Sequence, residues 1–318
     1  MSSSWKDNPS IESRGPDTTD LFEFAWRRRT RDPECIADVI FGAVHKLLSR
    51  SETYASQDAI NAIRKEAEGL QRYDTWINVP CFKGDLIAKA SKEGKTYHFG
   101  ELLTICSIKH AESPLLACHK GRICYMGDRA KDQHGQAAIY QELSSSPSGI
   151  FDVNLTIAYG CCPGNCVTAA DAIKAYVQSL LKSNSPTYVA IPHELWPQDG
   201  SWEKLGFQRK GYDRPMCRLN KALYGHPESG AHWEAHLTSA IRKCGGCPIL
   251  GHPSCFMFEA SKQLLTVYVD DLLMAGPIDT QESVWKALRV LVSTEDPEPL
   301  DRFLGRTHKF EHLSAPGC

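Results

Sequence analysis

Leu264-Leu265-Thr266-Val267-Tyr268-Val269-Asp270-Asp271-Leu272-Leu273-Met274-Ala275-Gly276-Pro277 is an apolar run broken at its centre by two adjacent acids. Short β-prone stretches on either side of a polar pair read as a hairpin that presents both carboxylates at its tip. Adjacent carboxylates repel, so a cation is needed to hold the pair ionised and close together. That is the arrangement a divalent-metal phosphoryl-transfer site requires. The alternative is a polar turn with no chemistry, and the rest of the chain has to decide between them.

Outward from this run, the chain has 318 residues, enough for one large or two modest domains. Its 42% hydrophobic and 23% charged content are those of a globular protein rather than a disordered one. No apolar run reaches the length of a bilayer span and the first 20 residues are polar, so no signal peptide, membrane anchor or membrane partner is expected. The 13 cysteines are scattered and odd in number, which fits reduced thiols of the cytosol or nucleus rather than a secreted disulfide framework. A net charge of −2 confines any nucleic-acid groove to local basic patches.

Residues 1 to about 20 are rich in Ser, Asp, Pro and Gly and read as disordered. The Arg cluster of Trp26 to Arg31 reads as a solvated helix end or a phosphate contact, and helical patterns come next over Ile36–Leu48 and Asp58–Leu70. Trp76–Pro80 reads as a strand, and short antiparallel strands are expected between about 95 and 145. Further helices are expected over Ile150–Tyr159, Ala175–Leu181, Gly230–Cys244 and Glu282–Val292, with a strand over Val167–Asp171. From Leu205 to Lys221 the composition turns basic. The order predicts an α+β fold with helices on one face of a small antiparallel sheet.

A metal-bound triphosphate needs an acid from a separate strand besides a tip pair, and Asp171 ends such a strand. By itself, an Asp there is more often a helix N-cap. Asp171, an aromatic five residues later at Tyr176, and a distant Tyr-Val-Asp-Asp together resemble motifs A and C of reverse transcriptases. Asp74-Thr75-Trp76 to Pro80 resembles the opening of the copia-type LTR-retrotransposon polymerase domain, and Lys120-Gly121-Arg122-Ile123-Cys124 its Lys-Ala-Arg-Leu-Val segment. Cys217 to Gly225, with Trp233 beyond, resembles the motif B region, and Phe303-Leu304-Gly305 the strand after the palm. The resemblance runs in order over roughly residues 55 to 312.

The resemblance implies a fingers-palm polymerase fold whose small antiparallel palm sheet is backed by helices. It implies an N-terminal extension over 1–50, fingers over 51–165, and a palm over 166–318 that stops before the thumb. The activity implied is RNA-directed DNA polymerisation, with Asp171, Asp270 and Asp271 as catalytic acids holding Mg2+, or Mn2+ in its place. Tyr176 would be the steric gate against ribonucleotides, Lys120 and Arg122 would contact the triphosphate, and Gly225 and Tyr268 would face substrate. Partners would be an RNA or DNA template with its primer, dNTPs, and the other Pol domains if the chain is a piece of a polyprotein. The setting would be a cytoplasmic virus-like particle or the nucleus.

The pattern breaks after Leu223-Tyr224-Gly225. The family reads Leu-Lys-Gln-Ala-Pro-Arg-Ala-Trp where this chain reads His226-Pro227-Glu228-Ser229-Gly230-Ala231-His232-Trp233. Positive charge beside the template is lost there. The chain also ends at Cys318 without thumb or RNase H regions, as a fragment would. A degenerate palm that binds nucleic acid or a partner without polymerising is therefore the alternative. Cys244, Cys247, His252 and Cys255 nearly spell a zinc knuckle, but two residues separate His252 from Cys255 where four are required.

Overall fold

The computed structural model describes residues 46–111, 115–141 and 146–310. The extension expected to be disordered, the Arg cluster and most of the helix expected over Ile36–Leu48 lie outside them. The described end of that stretch, β1 (Lys46–Leu47), is strand rather than helix. With residues 107–118 it belongs to a small unit in which Lys46 pairs with Ile108 and Leu47 with Ser107. Residues 48–106 and 119–318 form the main unit, and the boundary expected near residue 165 falls inside it. No helix among the described residues is long and apolar enough to cross a membrane.

The main unit opens with α1 (Arg50–Ala55) and α2 (Gln57–Gln71). Ser49 caps α1 with a reciprocal Glu52 contact, and the Ser56 side chain accepts from Ala59 N to start α2. Trp76–Pro80 does not form a strand. It contributes an isolated bridge from Trp76 to Leu219, and Cys81 makes another to Met216. The sequence reading missed α3 (Lys83–Glu93), whose stop signal is Gly94 in the left-handed region at φ 63°.

A first sheet is built on β2 (His98–Lys109), which pairs with β3 (Cys118–Tyr125) and β4 (Lys131–Asp132). The chain then leaves this sheet through α4 (Ile150–Gly160) and β5 (Asn165–Asp171), and returns as β6 (Thr187–Ala190) and β7 (Met216–Arg218), with α5 (Ser201–Lys204) between them. The return lays β6 parallel to β2, His98 opposite Thr187, which short antiparallel hairpins alone would not produce.

The acid-bearing sheet contains β5 together with β8 (Cys247–Pro248), β9 (Cys255–Phe258), β10 (Gln263–Tyr268), β11 (Asp271–Pro277) and β12 (Glu298–Pro299). Its order is β12-β5-β11-β10-β9-β8, antiparallel throughout. Two helices, α6 (Ser229–Lys243) and α7 (Ile278–Leu291), belong to the same part of the chain.

Helices cover both faces of this sheet, which corrects the expectation of one. Leu272 and Met274 of β11 pack with Trp233, Leu237 and Ile241 of α6 and with Trp285 and Leu288 of α7. The intervening Leu273 and Ala275 pack with Val153 of α4, Leu300 and Phe303. Thr156 of α4 also bonds Thr266 of β10 at 2.6 Å on that second face. An uninterrupted Leu-Leu-Met-Ala run is what a doubly covered strand needs, because successive side chains point to opposite faces. Leu272, Leu273 and Met274 are fully buried. Each contributes about 1.5–3 kcal/mol of transfer free energy.

Candidate functional site

The two-residue loop Val269-Asp270 joins β10 to β11, with Tyr268 opposite Asp271. Val269 has φ 58°, a left-handed value that a turn of this length normally assigns to glycine. For a β-branched residue this is strained backbone, and it must be held from outside. Two hydrogen bonds hold it. Trp233 Nε1 donates to Val269 O at 2.7 Å, and Ala172 N donates to Asp270 O at 2.7 Å.

The second bond comes from the residue after Asp171, so the loop is tied to the strand that carries the third acid. The register places Asp171 directly opposite Asp271. The Asp171 backbone carbonyl is itself fixed by Glu295 N at 2.9 Å. Burial, then the charges of Asp171 and Asp270 and a hydrogen bond with Asp171, push the Asp271 carboxyl up to about 7. Two close carboxylates in a half-buried site resist being ionised together, so the fold favours the protonated Asp271 carboxyl. A divalent cation would relieve the same repulsion. No group of three or more His, Cys, Asp and Glu side chains that could hold a metal ion is found among the described residues. Magnesium characteristically takes one or two carboxylates and completes its shell with phosphate oxygens and water, so Asp270 and Asp271 at the turn are the residues that could hold one.

Tyr176 stands next to these acids. The helix expected over Ala175–Leu181 is a single 3-10 turn, Ala175–Gln178, entered from Lys174 at φ 51°. It stops because Leu180 bridges Lys221 and Leu181 N donates to Asn220 O, which draws the backbone out straight. Lys174 is pinned by a 2.6 Å ion pair to Glu66 of α2. The Tyr176 ring meets Tyr224 edge-on, 4.6 Å between centroids. Burial, and then the Asp270 charge, raise the Tyr176 hydroxyl; the same two causes and Tyr176 push Tyr224 up to about 12.

Arg122 opposes that rise in Tyr224, so it faces the same group. It is exposed on β3, while its neighbours Gly121 and Ile123 turn inward. Lys120 is two residues earlier and therefore on the same strand face as Arg122. Tyr268 is 38% exposed at the end of β10.

Gly225 has an internal reason to be glycine. At φ 86° a Cβ would collide with the Tyr125 carbonyl, where Tyr125 N already donates to Tyr224 O at 2.7 Å. The neighbour that excludes a side chain at Gly225 is thus β3, within the fold. Trp233 is named in the sequence only as part of the motif B resemblance, and its hydrogen bond to Val269 is visible only in the structure. Tyr224 sits beside Gly225 in a segment that is singled out, but only its contact with Tyr176 reveals a role.

The departure at His226–Trp233 also acquires a location. Glu228 is 1% exposed and turned inward, where its Oε1 accepts from Gln141 N at 3.0 Å and its Oε2 lies 3.6 Å from His232 Nε2. Its charge is therefore not displayed on the surface. The four zinc-knuckle candidates have other partners or none in common: His252 Nδ1 pairs with Asp152 at 2.6 Å, Cys255 is buried against Thr266, and Cys247 is exposed on β8.

No protein-family model matches the chain. It is 33% identical over 98 residues to the Retrovirus-related Pol polyprotein from transposon RE1 of Arabidopsis thaliana, a stretch covering 29% of this chain and 7% of that polyprotein. The polyprotein from transposon RE2 of the same plant is 32% identical over 99 residues, again 29% of this chain and 7% of the polyprotein. The putative transposon Ty5-1 protein YCL074W of Saccharomyces cerevisiae is 29% identical over 103 residues, 31% of this chain and 33% of that protein. The chain thus spans less than a tenth of the two plant polyproteins and a third of the yeast protein. Over under a third of its own length it is similar to retrotransposon Pol sequences, which supports a retrotransposon origin.

Proposed function

We propose that this chain is the fingers and palm of an RNA-directed DNA polymerase of the copia type. The observation that carries the reading is Asp171 opposite Asp271, with Asp270 on a strained turn tied to its surroundings by two hydrogen bonds. Magnesium or manganese ions held by these three acids would activate a primer 3′-hydroxyl and neutralise the triphosphate of the incoming dNTP. A bound cation would relieve the mutual repulsion that raises the Asp271 carboxyl, which supports the assignment of these acids as its ligands.

Around them the other residues have separable tasks. Tyr176, braced edge-on by Tyr224, closes the side of the site where a ribose 2′-hydroxyl would collide. Arg122, with Lys120 on the same strand face, supplies positive charge for the triphosphate oxygens. Template and primer would bind across the same face.

The test is primer extension on poly(rA)/oligo(dT) with magnesium and labelled dTTP, comparing the wild type with Asp270→Asn. Incorporation that disappears in the variant is the expected result. Equal incorporation by both proteins removes the acids from the chemistry. A second reading, a palm fragment that binds nucleic acid without polymerising, draws on the altered His226–Trp233 segment and its inward-turned Glu228. Retained binding of labelled primer-template with no incorporation by the wild type would favour it.

A further inference from the structure

We infer that Trp233 is a positioning residue whose indole N–H holds the Val269-Asp270 turn in the conformation that presents Asp270 to a bound cation. The inference rests on the proposed reading of the acids for its catalytic consequence, while the tie itself is a property of the fold. Trp233 is 2% exposed, and its Nε1 donates to Val269 O at 2.7 Å across 36 residues of sequence. An indole has one polar atom, and burying it without a partner is costly, so the ring and the turn fix each other.

The turn needs this. Val269 at φ 58° is held in a region that a β-branched side chain rarely enters, and such strain persists only where the surroundings over-determine it. A cavity of about 30 Å3, room for about one water, lies beside the turn, lined by Tyr176, Trp233, Phe256, Val267 and Val269, so packing against Val269 is incomplete on that side. What remains is one hydrogen bond to each of the two central carbonyls. Ala172 serves that of Asp270 from the backbone, and Trp233 serves that of Val269 from a side chain. Only the second can be removed by changing a side chain while leaving the backbone donors intact.

The first experiment is hydrogen exchange of the indole N–H groups in 15N-tryptophan-labelled protein, with the Trp233 resonance assigned from Trp233→Phe. A protected Trp233 N–H whose resonance moves on adding magnesium, in the wild type but not in Asp270→Asn, is expected. Exchange at the rate of a solvent-exposed indole overturns the tie.

The second is steady-state incorporation by Trp233→Phe, which keeps a ring but loses the donor. Its kcat should fall about fivefold to tenfold with KM for the nucleotide little changed, because one hydrogen bond to a positioned group is lost. Val269→Gly, which relieves the strain, should shrink that loss when combined with it; strictly additive effects overturn the positioning role. A protected indole in a wild type without incorporation sinks the polymerase reading and leaves the tie standing. An active wild type matched by an equally active Trp233→Phe leaves the polymerase reading standing and overturns the positioning role.

Discussion

Asp171 and Asp271 face each other across neighbouring antiparallel strands, the last residue of β5 against the first of β11. Every other pair in that seven-residue register is apolar, small or uncharged. The fold therefore concentrates repulsion at one end of an otherwise well-packed ladder, and the consequences are measurable.

Stability should depend on pH through this pair. The folded Asp271 pKa, about 7, lies above its ordinary 3.8, so the folded state binds the extra proton. The linked stabilisation is complete below about 3.8 and is lost as pH rises through about 7. Asp271→Asn cannot ionise, and at pH 8 it should be more stable than the wild type by about 1–2 kcal/mol, after discounting for solvent screening at a half-exposed site. Urea midpoints at pH 5 and pH 8 check this. A variant less stable than the wild type at pH 8 would show that the acids do not repel.

His226 gives the opposite sign. It is 4% exposed, and its Nδ1 accepts from Glu228 N at 3.2 Å, so a second ring proton would point at an N–H group. Burial is the main cause that brings its pKa down from 6.5 to about 4, helped by His232 and His98 and opposed by Glu228. Stability linked to it is present above 6.5 and lost as pH falls through about 4. The total is on the order of 3 kcal/mol. In His226→Leu the fall between pH 6.5 and 4 should flatten; thermal melts across that range decide.

Tyr176→Ala should admit ribonucleotides. On the proposed reading the ring is what excludes a 2′-hydroxyl, so without it preference for dNTPs should drop on the order of 10- to 100-fold in kcat/KM. Competition between dTTP and UTP in primer extension measures it, and unchanged discrimination would take Tyr176 out of the gate.

Gly225→Ala separates two reasons for one glycine. The Cβ would strike the Tyr125 carbonyl at a φ that side chains avoid, so unfolding free energy should drop by about 2 kcal/mol or more. If the glycine served only an approaching template, the melting temperature would be unchanged and incorporation alone would suffer.

Much of the site was legible in the chain because its signals are local. An apolar run interrupted by two acids announces a hairpin, and α2, α4, α6 and α7 arise from periodicity or capping within a few residues of their expected bounds. Where expectation failed, a distant segment had overruled a local preference. Ala175–Gln178 could not continue as helix because residues 220–222 pair with residues 179–181. Likewise β6 became parallel to β2 because the chain crosses the second sheet in between.

The sequence by itself determined that three acids, two of them adjacent, lie at strand ends and that the hairpin is apolar on both sides. Backbone alternation and charge repulsion are short-range, and composition sets them. Only the tertiary structure decided that Asp171 meets Asp271 rather than Asp270, that Trp233 ties the turn, and that Gly225 answers to Tyr125. Those facts depend on strand register and on contacts between residues far apart in the chain. Such contacts form only when the burial of both faces of β11 fixes which residues stand opposite.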